Sequence, residues 1–245
     1  MVLKNINLSK VPFELLVLMA RIIFPKYRFK WHELDWWESE RFDLFLKKFD
    51  NYKKFNDDRF WGLSELLRLV RYVEGDTAEC GVYRGASSAL ICSENQQSSF
   101  RKIHCVFDSF EGLSEPRAGD GDHWHFGDLT CSLDEVKENL SGFSRVEYYK
   151  GWIPDRFEDV ESRKFSLVHI DVDLYQPTRD SFEFFYERMS LGGVIVCDDY
   201  GFGTCPGATK AIDEFLEFRN EKMLALSSGG GFMIKGVQTG PALYR

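Results

Sequence analysis

Two short apolar runs, Phe165-Ser-Leu-Val-His-Ile170 and Val194-Ile-Val-Cys197, each end in acid, the first in Asp171-Val-Asp173 and the second in Asp198-Asp199. Continuous apolar runs of this length read as strands buried on both faces, the habit of parallel sheets. Residues 178–189 between them carry a helical pattern, and Gly192-Gly193 predicts the turn into the second strand. A strand, a crossover helix and a neighbouring parallel strand bring two C-terminal strand ends side by side, at the edge where open α/β sheets bind ligands. Asp171, Asp198 and Asp199 gathered there repel one another unless a cation lies among them. Ligands that are all oxygen suit a hard divalent ion, Mg²⁺ first. Asp173 lies past the strand end and is expected to cap Tyr175-Gln-Pro-Thr178 or the helix beyond, not to hold metal. His169, two residues before Asp171, reads as a satisfied core histidine.

The same alternation starts at Thr77. Strands are expected at 77–82, 102–107 and 146–151, helices at 86–94, 133–140 and 208–219, and a polar loop at 111–130. Segments 223–226 and 232–235 flank Ser-Ser-Gly-Gly-Gly and predict an antiparallel edge hairpin. The fold class is therefore α/β, a mostly parallel sheet with helices on both faces. Residues 1–76 differ. Trp31, Trp36, Trp37, Phe42, Phe45, Phe49, Tyr52, Phe55, Phe60 and Trp61 are interleaved with charges, and Phe42, Phe45 and Phe49 share one helical face. They are expected to form a helical N-terminal extension of a domain at 77–245, either covering the sheet, contacting a second copy, or forming a lid over a ring-shaped substrate.

A net charge of −8 without any basic run argues against nucleic acid as a partner. The apolar stretch 11–24 is interrupted by Glu14 and Arg21 and is too short to span a membrane, so it is expected to pack on the domain or on a partner subunit, making a homo-oligomer through the N-terminal helices. Six cysteines without a C-x-x-C pair read as buried free thiols in a reducing cytoplasm.

The turn Glu79-x-Gly81-x-x-x-Gly85 follows a strand and opens a helix, so backbone N–H groups there can approach a ligand closely. Glu79 stands where a pyrophosphate would be repelled, which suits a ligand carrying cationic groups such as S-adenosylmethionine. Asp108, at the next strand end, is placed to accept both hydroxyls of a ribose. His123 and His125, in Gly121-Asp-His-Trp-His-Phe-Gly127, are loop residues or candidate bases, alongside Asp171.

Five stretches in order, Ala78-Glu-Cys-Gly-Val-Tyr-Arg-Gly85, Phe107-Asp-Ser-Phe-Glu-Gly-Leu113, Lys150-Gly-Trp-Ile-Pro154, His169-Ile-Asp-Val-Asp-Leu-Tyr175 and Gly192-Gly-Val-Ile-Val-Cys-Asp-Asp-Tyr200, resemble the macrocin O-methyltransferase family. That resemblance runs from about residue 75 to 235. It implies a Rossmann-like class I methyltransferase fold and Mg²⁺-dependent transfer of a methyl group from S-adenosylmethionine to a hydroxyl of a sugar or sugar-containing natural product. By it, Asp171, Asp198 and Asp199 would hold the metal and Asp171 or His123 would act as base. Glu79, Gly81, Ser87 and Asp108, with the neighbouring Tyr83, Gly85 and Ser109, would hold the cofactor, and Trp152 would lie near the adenine. A catechol-type O-methyltransferase with a phenolic acceptor is the alternative. A metal-dependent glycosyltransferase using Asp171-x-Asp173 fits less well, since it leaves Glu79-x-Gly81 and Asp198-Asp199 without a task.

Overall fold

A computed structural model describes residues 10–24, 34–49 and 56–242, and the packing divides the chain into two units, Met1–Asp50 and Asn51–Arg245. In the first unit, α1 (Lys10–Ile23) is followed by a 3₁₀ turn at Asp35–Glu38 and by α2 (Glu40–Lys48). The side chain of Ser39 caps α2 by accepting from the Phe42 N–H, with Glu40 and Asp43 in the first turn and Lys47 and Lys48 in the last, as the helix dipole favours. The expected aromatic face is present: ring centroids lie 6.0 Å apart for Phe42–Phe45 and 5.2 Å for Phe45–Phe49. Trp31, Tyr52 and Phe55 lie outside the described residues. No helix among the described residues is long and apolar enough to cross a membrane.

The second unit begins with α3 (Asp57–Leu69), then runs β1 (Asp76–Cys80), α4 (Ala86–Asn95), β2 (His104–Asp108), α5 (Leu133–Asn139), β3 (Val146–Lys150), β4 (Phe165–Ile170), α6 (Tyr175–Tyr186), β5 (Met189–Cys197), α7 (Pro206–Leu216), β6 (Leu224–Ala225) and β7 (Gly231–Ile234). The seven strands form one sheet in the order β3-β2-β1-β4-β5-β7-β6. β3, β2, β1, β4 and β5 are parallel, and β7 runs antiparallel to both β5 and β6. Every residue of β4 is buried, as a central strand covered on both faces requires. The order reverses between β1 and β4, so the cleft above those strand ends is the switch point at which such sheets take ligands.

Three sequence expectations change. The helix α3, expected in the extension at 1–76, belongs to the second unit: Leu63, Leu66, Leu67 and Val70 are buried in one cluster with Leu167 and Val194. The helix expected at 178–189 starts and ends earlier, and β5 begins at Met189. Gly192-Gly193 therefore lies inside β5 and not in a turn. Gly192 adopts φ +80°, the pairing with β4 slips between Phe165 and Leu167, and a side chain at Gly193 would press on the Ser166 carbonyl, so the pair makes a bulge. All six cysteines are free and buried, as expected.

Candidate active site

The site starts with Gly81. Its N–H donates to the Phe107 carbonyl at 2.9 Å and the Asp171 N–H donates to the Cys80 carbonyl at 2.9 Å, which holds the tips of β1, β2 and β4 together. At φ +78° a side chain on Gly81 would run into the Asp171 backbone. Tyr83 (φ 46°) and Gly85 (φ 87°) then turn the chain into α4. Asp108 secures this turn from the end of β2: one carboxylate oxygen accepts the Val82 N–H at 2.8 Å, the other the Phe110 N–H at 2.6 Å. The Tyr83 N–H adds a third backbone contact to this carboxylate. Burial pushes the Asp108 carboxyl up from its ordinary pKa, against the pull of these backbone donors. Ser109 shapes the next turn, donating to the Gly112 carbonyl and accepting the Glu111 N–H.

Above these tips lies a cavity of about 440 Å³. Gly81, Tyr83, Asp108, Ser109 and Trp152, all expected at a cofactor site, line it together with Asp171. Ser87 is buried in the first turn of α4 and Gly85 is that helix's N-cap, so both build the turn from behind.

Glu79 is elsewhere. Its carboxylate is wholly buried between β1 and its neighbours, accepting from Ser88 Oγ and sharing a hydrogen bond with His169 Nδ1 at 2.8 Å, with His104 Nε2 at 3.8 Å. It does not line the cavity, which corrects the cofactor contact expected for it. The reason is pleat: side chains alternate across a strand, and position 79 points into the sheet's α4 face. The network continues, since Ser88 Oγ and Thr77 Oγ1 lie 2.9 and 3.0 Å from the two nitrogens of His104. Ser88 was not anticipated; its position one residue from Ser87 carried no separate signal. Burial alone would raise the Glu79 pKa, but hydrogen bonds from His104 and His169 outweigh it and hold the acid at about 2 against an ordinary 4.5. A carboxylate depressed on folding stabilises above its unfolded pKa and loses that contribution as pH falls toward the folded one. Glu79→Gln is thus expected to flatten the fall of melting temperature between about pH 4.5 and 2, read by thermal melts across that window.

Of the three acids expected to hold a metal, Asp171 lines the cavity, whereas Asp198 and Asp199 at the end of β5 do not. Asp171 faces the cavity, and burial of its carboxyl, then the charge of Asp199, push its pKa up to about 6 against the opposing pull of Arg59 and His169. One oxygen of Asp199 accepts the Val172 N–H at 3.2 Å and the Asp173 N–H at 2.8 Å. Asp198 forms an ion pair with the Arg59 guanidinium of α3 and lies 3.8 Å from His169 Nε2. Arg59 also donates to the Asp198 carbonyl at 3.2 Å and stacks on Phe202 at 4.9 Å, while its buried Nε has no partner. No spacing along the chain points to Arg59, which lies 139 residues from Asp198.

Asp173 is a second correction. It does not cap α6; the Tyr175 N–H donates to Asp120 Oδ1 at 2.7 Å, and the N-cap residue Leu174 has no oxygen to offer. Asp173 instead takes φ +60° and turns inward, where its Oδ1 accepts from Cys205 Sγ at 3.3 Å. Ligand-type atoms of Asp173, Asp199 and Cys205 all lie within 4.8 Å of one another. Burial and then the charges of Asp199 and Asp171 push the Asp173 carboxyl up to about 9. His123 and His125 are exposed in the 111–130 loop and do not line the cavity; His123 stands edge-on to Trp124 at 4.6 Å.

A seven-stranded sheet of this order, with a glycine turn and an acid at the first two strand ends, defines a Rossmann-like methyltransferase fold. The family model for macrocin-O-methyltransferase matches residues 56–226, and the chain belongs to that family. A tetracenomycin-C 4'-O-methyltransferase from Streptomyces olivaceus is 32% identical over 57% of this chain and 58% of its own length. This chain thus spans less than two thirds of that relative. Demethyldecarbamoylnovobiocin O-methyltransferase from Streptomyces niveus is 26% identical over 74% of this chain and 70% of its own. Among solved structures, the O-methyltransferase NovP superposes with a TM-score of 0.63 at 25% identity, covering 72% of this chain and 79% of that one. A calicheamicin methyltransferase gives a TM-score of 0.68 over 86% of this chain and 96% of its own, at 16% identity, a likeness of fold.

Proposed function

We propose that the protein transfers the methyl group of S-adenosylmethionine to a hydroxyl of a sugar or a glycosylated natural product, with a divalent cation, Mg²⁺, held by Asp171, Asp198 and Asp199. The observation that carries this reading is a cleft at the switch point with a ribose-type acid, Asp108, on one side and a crowd of acids on the other. The name of the Streptomyces olivaceus relative specifies a rhamnosyl-bearing tetracenomycin as its acceptor, which supports the acceptor class.

The residues fit both absent groups. Asp108 lines the cavity at the end of β2, where a carboxylate can accept from a pair of ribose hydroxyls, Trp152 offers a flat face for a purine, and the positive-φ turn at Gly81 brings backbone close to the ligand. The acids fit a hard cation because they are all oxygen donors, because burial and then the charge of Asp199 disfavour the ionised form of Asp171, which a cation would relieve, and because Arg59 already stands in as a cation beside Asp198. When bound, such an ion supplies Lewis-acid activation and a template for the acceptor. Besides helping to hold the cation, Asp171 then has two tasks, orienting the acceptor and receiving its proton. It is favoured as base over His123 because it faces the cavity. Asp199 keeps the 171–173 backbone in register through its two N–H contacts. Exposed Leu15, Leu18 and Ile22 on α1 support the expectation of a homo-oligomer through the N-terminal helices, and the six free thiols that of a reducing, cytoplasmic setting.

Thermal-shift and turnover measurements test this together. S-adenosylhomocysteine at a hundred times its dissociation constant adds about 2.7 kcal/mol to folding stability, or roughly 5–10 °C for a domain of this size; NAD and UDP are expected to leave the melting temperature unchanged. Methyl transfer to glycosylated acceptors should stop in chelator and return with Mg²⁺. Stabilisation by NAD alone would remove the cofactor assignment, and full turnover in chelator would remove the cation.

A further inference from the structure

Between Leu113 and Asp128 the chain leaves the sheet in a loop whose base is closed by two backbone hydrogen bonds, Leu113 N–H to the Asp128 carbonyl at 2.8 Å and Gly127 N–H to the Leu113 carbonyl at 2.9 Å. Leu113, Ser114, Glu115, Arg117 and Asp120 of this loop form one wall of the 440 Å³ cavity. Residues 117–119 and 121–123 are exposed, yet Asp120 in their midst is only 3% exposed. Its two oxygens do different work. Oδ2 accepts the Arg117 N–H at 2.8 Å and closes the loop's own turn; Oδ1 accepts the Tyr175 N–H at 2.7 Å, capping α6, 55 residues away. The seat for this carboxylate exists because position 207 is glycine. A side chain there would overlap Asp120 Oδ1 and come within 2.9 Å of the Tyr175 nitrogen. Two further ties flank it: Arg117 Nη1 donates to Gln176 Oε1 at 3.1 Å, and Trp124 Nε1 donates to Cys205 Sγ at 3.3 Å.

We propose that Asp120 is a positioning residue, a pin that fixes the tip of the 113–128 loop to the start of α6 and so holds that wall of the cofactor cavity in place, with Gly207 as its seat. The proposal rests on the reading of the cavity as a cofactor site. A helix N-terminus without a capping oxygen of its own draws a carboxylate strongly, so the loop is held by the same bond that completes α6. Releasing the pin leaves the loop base closed and the sheet intact, but lets the wall swing away from a bound ligand.

The test uses the full chain and three variants, Asp120→Ala, Gly207→Ala and the double substitution, with S-adenosylhomocysteine as probe. Calorimetry gives its affinity, and hydrogen exchange with mass spectrometry follows residues 113–128 against β1 and β4. Each single variant is expected to weaken binding by about tenfold, the lower end of what losing a supporting contact costs at a metal site, and to speed exchange in the loop without changing it in the sheet. In the double variant the methyl group at 207 has no carboxylate to displace and presses only on Tyr175, so its loss should fall short of the product of the two single losses. Asp120→Asn, which keeps one acceptor oxygen, should fall between wild type and Asp120→Ala. Multiplied losses in the double variant, wild-type exchange in the loop of the singles, or exchange that rises equally in β1 and β4 would each overturn the pin. If the wild-type chain does not bind S-adenosylhomocysteine at all, the cofactor reading fails, and the exchange pattern alone decides whether Asp120 holds the loop.

Discussion

Asp199→Asn should lower Mg²⁺-supported methyl transfer by about a thousandfold while S-adenosylhomocysteine binds within about twofold of wild type. The magnitude follows from the several kcal/mol a metal ion contributes to a transition state, at about 1.4 kcal/mol per tenfold. The choice of residue separates charge from scaffold. One oxygen of Asp199 accepts the N–H groups of Val172 and Asp173, and the amide oxygen of asparagine can accept both. The left-handed turn at Asp173 therefore survives, and only the negative charge is removed. Asp198→Asn would be less clean, because it also removes the negative charge that balances the Arg59 guanidinium. Initial rates with and without added Mg²⁺, paired with calorimetry of the cofactor product, read the two effects separately. Turnover within tenfold of wild type would mean that no cation acts through this carboxylate.

The largest effect on folding is expected from Gly81→Ala. A left-handed conformation costs an L-residue about 1–2 kcal/mol, and forcing a methyl group against packed backbone adds roughly 1–3 kcal/mol. Position 81 incurs both, with φ +78° and the Asp171 backbone directly in the way. The strands cannot move apart to make room, because the Gly81–Phe107 and Asp171–Cys80 hydrogen bonds sit at that spot. At about 2–4 °C per kcal/mol for a domain of this size, the melting temperature should fall by roughly 4–20 °C, or no folded protein should be recovered. Gly203→Ala is the control, since nothing lies within 4 Å of a side chain there. It should melt within about 2 °C of wild type. Equal melting of the two variants would show that the strand tips are more yielding than their hydrogen bonds imply.

What could be read in advance divides by distance along the chain. Strand ends and their acids are local patterns, so Asp108, Asp171, Asp198 and Asp199 were placed before any fold was known, and so was the antiparallel edge hairpin. The misses are contacts closed by the fold. Glu79 was assigned by its neighbours in the glycine turn, yet its partner His169 is 90 residues away and the pleat sends it into the sheet. Asp173 was expected to cap α6 because it precedes that helix, but Asp120 reaches the same N–H from another loop and leaves Asp173 free to turn inward. Gly192-Gly193 read as a turn because two glycines in a row usually are one; here they let a strand carry a bulge.

The ion pair between Arg59 and Asp198 bears on where the chain can be cut. The alternating strand pattern begins at Thr77, and a fragment starting there would keep every acid of the cleft. It would also lose α3, and with it the guanidinium that balances Asp198 and the leucines buried with Leu167 and Val194. A smallest working fragment therefore has to begin ahead of Asn56, at the head of α3, well upstream of the first strand.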